Sequence, residues 1–172
     1  MGYIYKVAVP HERWPTAGEL DAALMAVQEP VRLLVRPGRS DEPFAIGDTE
    51  RLALEVDGEP HVIDAREYRF DPDNDTFELR DIMADSGMDT APLHGAHILS
   101  ITVHGDERDW KALRALIVRM VTDFGGYGID FQSGITGFGE WAVAFVKRLG
   151  QQQQAYYKMV AKSAENAEKS PA

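Results

Sequence analysis

The sequence predicts an α+β fold, an antiparallel β-sheet with helices packed on one side, in a single domain. Three observations carry this. The element order reads β-α-β-β-β, a loop, then β-α-β-α, which groups strands instead of alternating them strictly with helices. Two of the grouped strands flank Asp57-Gly58, a dipeptide that closes tight antiparallel hairpins. A chain of 172 residues with 44% apolar side chains is also long enough to bury a core without metal or disulfide.

Each element has a local cause. Tyr3 to Val9 (YIYKVAV) is rich in β-branched and aromatic residues and stops at Pro10, the pattern of a first strand. Thr16 followed by Glu19 is a capping box, which starts a helix whose apolar stripe is Leu20, Leu24 and Val27; Pro30 ends the segment. Val31 to Val35 (VRLLV) reads as a second strand closed by Pro37-Gly38. Leu52, Leu54 and Val56 alternate with polar or small neighbours, as in a half-buried strand, and the return strand falls at Val62-Ile63 or at Tyr68 and Phe70. Residues 71–95 mix Asp, Asn, Ser, Gly and Pro and read as a long surface loop, with a short strand at Thr76 to Leu79. The strand signal returns at His97 to His104. Asp106 or Asp109 then caps a helix carrying Trp110, Leu113, Ile117, Met120, Val121 and Phe124 at helical spacing, which Gly125-Gly126 ends. Tyr127 to Phe131 reads as a short strand. A last helical region carries Trp141, Phe145, Leu149, Tyr156 and Val160, with a break or kink expected near Gly150. The domain is expected over residues 1–162, with a polar, frayed tail over 163–172.

Charge is the most informative global property. The net charge is −10, which opposes attraction to nucleic acid or anionic lipid, so neither is expected as a partner. Between Pro37 and Asp109 there are 19 acidic and 6 basic side chains, a net of −13, whereas the remaining residues carry a net of +3. The densest run is Asp71, Asp73, Asp75, Glu78, Asp81, Asp85 and Asp89. Gathered on one face, these carboxylates form a docking surface for a basic protein; scattered, they are only a solvated edge.

Motifs for other chemistries fail on spacing. Asp71-x-Asp73-x-Asp75 opens like a calcium loop, but Thr76 stands where glycine is needed and Ile82 where glutamate is needed. His94, His97 and His104 are a histidine cluster; on a strand His97 and His104 face opposite ways, whereas His94 and His97 can meet if the strand begins late, with Asp89 or Asp106 nearby. Six glycines between Gly125 and Gly139 precede a helix, yet no G-x-G-x-x-G spacing or phosphate-loop lysine accompanies them. Ser40, Ser86, Ser100 and Ser133 are not in nucleophile-elbow context, and His11 with Glu12 is the one local acid–base pair. No cysteine exists for disulfides, thiol catalysis or zinc. No catalytic residue, metal or cofactor is therefore expected. The first residues lack a basic start and a sustained apolar stretch, so no secretory signal is expected and a cytoplasmic location is.

The segment from His97 to Phe131 combines a strand, Gly105-Asp106, an amphipathic helix ending in Phe124-Gly125-Gly126, and a short strand with Asp130. In this it resembles small acidic bacterial immunity proteins of polymorphic and contact-delivered toxin systems. The resemblance covers about a fifth of the chain and implies an α+β domain that binds and neutralises a toxin acting in the cytosol. Such families place their contacts differently, so it assigns no individual binding residue. Charge and resemblance together point to a non-enzymatic protein whose partner is a basic, nuclease-like toxin held through Asp71, Asp73, Asp75, Glu78, Asp81, Asp85 and Asp89. The alternatives are an adaptor for another partner, or a small ligand- or metal-binding enzyme domain.

Overall fold

A computed structural model describes residues 2–71, 93–130, 136–137 and 140–170. Among the described residues, seven strands form one sheet: β1 (Tyr3–Val9), β2 (Val31–Leu33), β3 (Arg51–Val56), β4 (Glu59–Arg69), β5 (His97–Val103), β6 (Tyr127–Asp130) and the two-residue β7 (Thr136–Gly137). Their spatial order is β2-β3-β4-β5-β1-β6-β7, and every neighbouring pair is antiparallel. The α-helices among the described residues are α1 (Ala17–Ala26), α2 (Glu107–Asp123) and α3 (Glu140–Lys169). The fold is α+β.

The side-chain period of two decides which residues meet the helices. Tyr5, Val7 and Val9 of β1, Ile63 and Ala65 of β4, and Leu99, Ile101 and Val103 of β5 share one core with Leu20 and Leu24 of α1, most of α2, and Phe145 and Leu149 of α3. The alternate residues Ala8, Ile98, Tyr127 and Ile129 point to the other face and form a second, smaller core with Phe70, Leu93 and Ala96. Helix α2 is buried through Ala112, Leu113, Ala115, Leu116, Ile117 and Met120, so it is the central layer and not a surface helix.

Local signals explain the element ends. The Thr16 hydroxyl accepts from the Glu19 backbone N–H at 3.1 Å while the Glu19 carboxylate accepts from Thr16 N–H at 2.8 Å, the reciprocal cap expected. Asp106, not Asp109, caps α2 by accepting from Arg108 N–H at 2.9 Å. Asp57 and Gly58 both have positive φ, 54° and 80°, as a two-residue turn between twisted strands requires. Helix α1 ends one residue before Val27, which is exposed and does not join the stripe. β2 is shorter than expected, stopping at Leu33, and Leu34 is exposed. The return strand is one long element that contains Val62-Ile63 and Tyr68 of the two alternatives and ends one residue before Phe70.

Helix α3 differs most from expectation. It passes through Gly150 without a break and continues through the polar residues 163–169. A mid-helix glycine costs about 1 kcal/mol, but Ala142, Phe145, Leu149 and Gln153 are buried at continuous helical spacing on both sides of it. Packing of that stripe decides the geometry.

An ion pair joins α1 to β2. Asp21 accepts from Arg32 Nε at 2.9 Å and Nη2 at 2.6 Å, and from Leu33 N–H at 3.0 Å. The Arg32 hydrogen bonds, more than the opposing burial, hold the Asp21 carboxyl below its ordinary value of 3.8. A carboxyl depressed in the folded state stabilises the protein above its unfolded pKa and loses that contribution as pH falls through the folded value. Asp21→Asn is therefore expected to lower stability by about 1 kcal/mol at neutral pH. In urea titrations that deficit should shrink towards zero below the ordinary carboxylate range.

Candidate functional site

The seven carboxylates singled out by density are divided by the limits of the described residues. Asp71 follows Phe70 just beyond the end of β4 and is half-buried. Asp73, Asp75, Glu78, Asp81, Asp85 and Asp89 lie outside the described residues, as do the short strand expected at Thr76 to Leu79 and the serines Ser86 and Ser133.

Other carboxylates of the same acidic segment gather where two elements end together. The β3–β4 turn brings Asp57 and Glu59 beside Asp106 and Glu107 at the start of α2. Lys111 reaches both groups, 2.7 Å from Asp57 and 3.6 Å from Glu107. Arg108 is held by Asp106 at 2.8 Å. Those bonds to carboxylates push Lys111 and Arg108 above their ordinary values, Asp57 acting first on the lysine and Asp106 first on the arginine. Four carboxylates thus face two cations that are already engaged, leaving this end of the molecule acidic.

The histidines behave differently from expectation, because His61, His97 and His104 each find a carboxylate on the sheet or at a helix start. His61 Nε2 lies 2.7 Å from Asp109 Oδ1, both side chains being nearly buried, and Asp109 Oδ2 accepts from His104 N–H at 3.2 Å. His104 Nε2 lies 2.6 Å from Asp64 Oδ2. His97 does not meet His94. Its Nδ1 lies 3.0 Å from Glu67 Oε1 and its Nε2 2.9 Å from His11 Nδ1, while Trp14 stacks on its ring at 4.8 Å. His94 instead faces Phe70.

The Glu67–His97–His11 chain has a fixed polarity. A carboxylate only accepts, so His97 Nδ1 donates; with a neutral ring its Nε2 then accepts from His11 Nδ1–H. The second nitrogen of the exposed His11 is left as an acceptor at the end of the chain. His11 is thus paired through His97 and not with Glu12.

Sequence reading missed Glu67, His61 and Asp109 as partners because they are separated by 30 to 48 residues from the groups they bond. Only the β4–β5 register, with Arg69 opposite His97 and Glu67 opposite Leu99, brings the first pair together. Ser100 is buried within the sheet.

The glycine-rich stretch has a packing explanation. Gly125 adopts φ +68° at the end of α2. A Cβ on Gly126 would stand 2.5 Å from Val7, and one on Gly128 would stand 2.5 Å from the Phe145 ring. These two glycines let β6 and its preceding turn approach their neighbours. Gly134 and Gly139 lie outside the described residues.

No family model, curated protein or solved structure matches the chain. Among the described residues, no group of three or more histidine, aspartate or glutamate side chains is placed to hold a metal ion. No helix among them is long and apolar enough to cross a membrane.

Proposed function

We propose that this chain is a non-enzymatic immunity protein, which binds and neutralises a basic, nuclease-like toxin in the cytoplasm through an acidic surface. The observation that carries the reading is the concentration of charge, a net of −13 between Pro37 and Asp109 in a chain whose remainder is net positive. The acidic end made by Asp57, Glu59, Asp106 and Glu107 supports it with carboxylates from two separate stretches of that segment. A nuclease needs a cationic groove for phosphate, and an acidic cover competes for the same groove. Complementary charge also accelerates encounter, up to about 10⁸–10⁹ M⁻¹s⁻¹ at low salt.

The test is affinity capture from the native cell lysate at low and moderate salt, read by mass spectrometry, with a variant carrying Asp73→Lys, Asp75→Lys and Asp81→Lys. One stoichiometric basic toxin is expected with the natural chain, and it should be lost or weakened with the variant. Association should slow and its dependence on salt should flatten. Equal capture by both chains would reduce the run from Asp71 to Asp89 to solvation.

A second reading draws on one observation, the Glu67–His97–His11 chain, which is competent for acid–base work in a small enzyme or ligand-binding domain. Thermal shifts with nucleotides and divalent ions separate the two, since a ligand bound only by the folded state raises stability by RT ln(1 + [L]/Kd). An adaptor role shares the docking logic and is separated by the identity of the captured partner.

A further inference from the structure

Beside the acidic end lies a pocket of about 430 Å³ whose wall is largely aromatic. Trp110 of α2 is buried in its floor, and three tyrosine rings surround that indole. The centroid separations are 5.9 Å to Tyr3, 5.8 Å to Tyr5 and 5.6 Å to Tyr156. Tyr3 and Met159 are 50% and 58% exposed, so the pocket opens to solvent between β1 and α3. A volume this size far exceeds the roughly 30 Å³ that one water occupies.

We propose that this pocket seats an arginine side chain of the basic protein partner, its guanidinium stacked among Tyr3, Trp110 and Tyr156. The inference rests on the reading above and names the chemistry by which the acidic end would hold its partner. Ring faces carry negative charge density and attract cations, and a planar, weakly hydrated guanidinium stacks on them better than an ammonium does. The charge around Tyr156 has the required sign. Burial first, and then the carboxylates of Asp106, Asp109 and Glu107, push the Tyr156 phenol above its ordinary value. The nearest basic groups of α2, Arg108 and Lys111, are held by Asp106 and Asp57. His104 at the wall is hydrogen-bonded to Asp64.

The floor is also fixed in orientation. The Tyr5 hydroxyl donates to Gln152 Oε1, and Gln152 Nε2 donates to Asp130 Oδ2 at 3.3 Å. The buried Tyr5 phenol is pushed well above its ordinary value, by burial first and the Asp130 charge second, so it stays protonated as a donor. The pocket is therefore preformed mainly on β1, α2 and α3, with His104 and Gly105 of the β5–α2 connection completing its wall.

The experiment titrates the full chain with N-acetyl-arginine amide and with its neutral isostere N-acetyl-citrulline amide, following the Trp110 indole N–H signal by NMR. Arginine amide is expected to shift that signal saturably and to bind about tenfold more tightly than citrulline amide. Tyr3→Leu with Tyr156→Leu should abolish the shift, while Tyr156→Phe should retain it. Tyr3 is at the surface and Tyr156 only partly covered, so unchanged circular dichroism serves as the control for folding. Equal binding of the two amides, or no Trp110 shift with arginine amide, overturns the proposal. The two readings fail separately. A captured partner that binds the Tyr3→Leu/Tyr156→Leu chain as tightly as the natural one removes the arginine seat and leaves the immunity reading standing. Arginine amide filling the pocket while no basic partner is captured does the reverse.

Discussion

Replacing Gly128 by alanine is expected to destabilise the protein by about 3 kcal/mol, at the upper end for adding one methyl group to a packed interior. The added Cβ would stand 2.5 Å from Phe145 Cδ1, 2.6 Å from Cγ and 2.8 Å from Cε1. Neither side can yield cheaply. Phe145 is fully buried on α3, and β6 is paired to β1 on one edge and β7 on the other. For a chain of this length such a loss lowers Tm by roughly 6–12 °C. Trimming the ring should restore part of it, so Gly128→Ala with Phe145→Leu is expected to be more stable than the sum of the single effects predicts. Additive losses would mean that the glycine serves something other than this contact.

Removing the Asp109 carboxylate is the second large effect, because it satisfies two donors at once. Asp109→Ala leaves His61 and the His104 backbone N–H without their acceptor in a nearly buried position, at an expected cost of about 2–4 kcal/mol. Asp109→Asn keeps one acceptor oxygen and should cost about half as much. Urea unfolding of the two variants checks the order. Equal losses would assign the effect to helix α2's first turn and not to the hydrogen bonds.

The fold was legible where its cause is local. The capping box at Thr16 and Glu19, the Asp57-Gly58 turn and the stripe from Trp110 to Val121 each state their geometry within a few residues. Reading failed where a distant contact overrides a local preference. Gly150 weakens a helix by itself, but the buried stripe from Phe145 to Gln153 carries α3 across it. Spacing ruled Gly126 and Gly128 out as a ligand loop, but what requires them, the approach of Val7 and Phe145, comes from elsewhere in the chain.

The candidate site was less legible for the same reason. Acidic density is visible in one dimension, but the meeting of Asp57, Glu59, Asp106 and Glu107 depends on a hairpin and a helix ending at the same corner. The histidines are the clearest case. Spacing along β5 separates His97 from His104 correctly, but nothing local announces that Glu67, Asp64 and Asp109 will pair with His97, His104 and His61. The aromatic pocket combines β1 with two helices that begin more than a hundred residues later, and no spacing rule joins them.

The most direct test of the account measures the nuclease activity of the captured partner on a nucleic-acid substrate as this chain is added. The account predicts that one equivalent abolishes cleavage, and that the Asp73→Lys, Asp75→Lys, Asp81→Lys chain requires a large excess to do so. Undiminished cleavage in the presence of excess natural chain would contradict it.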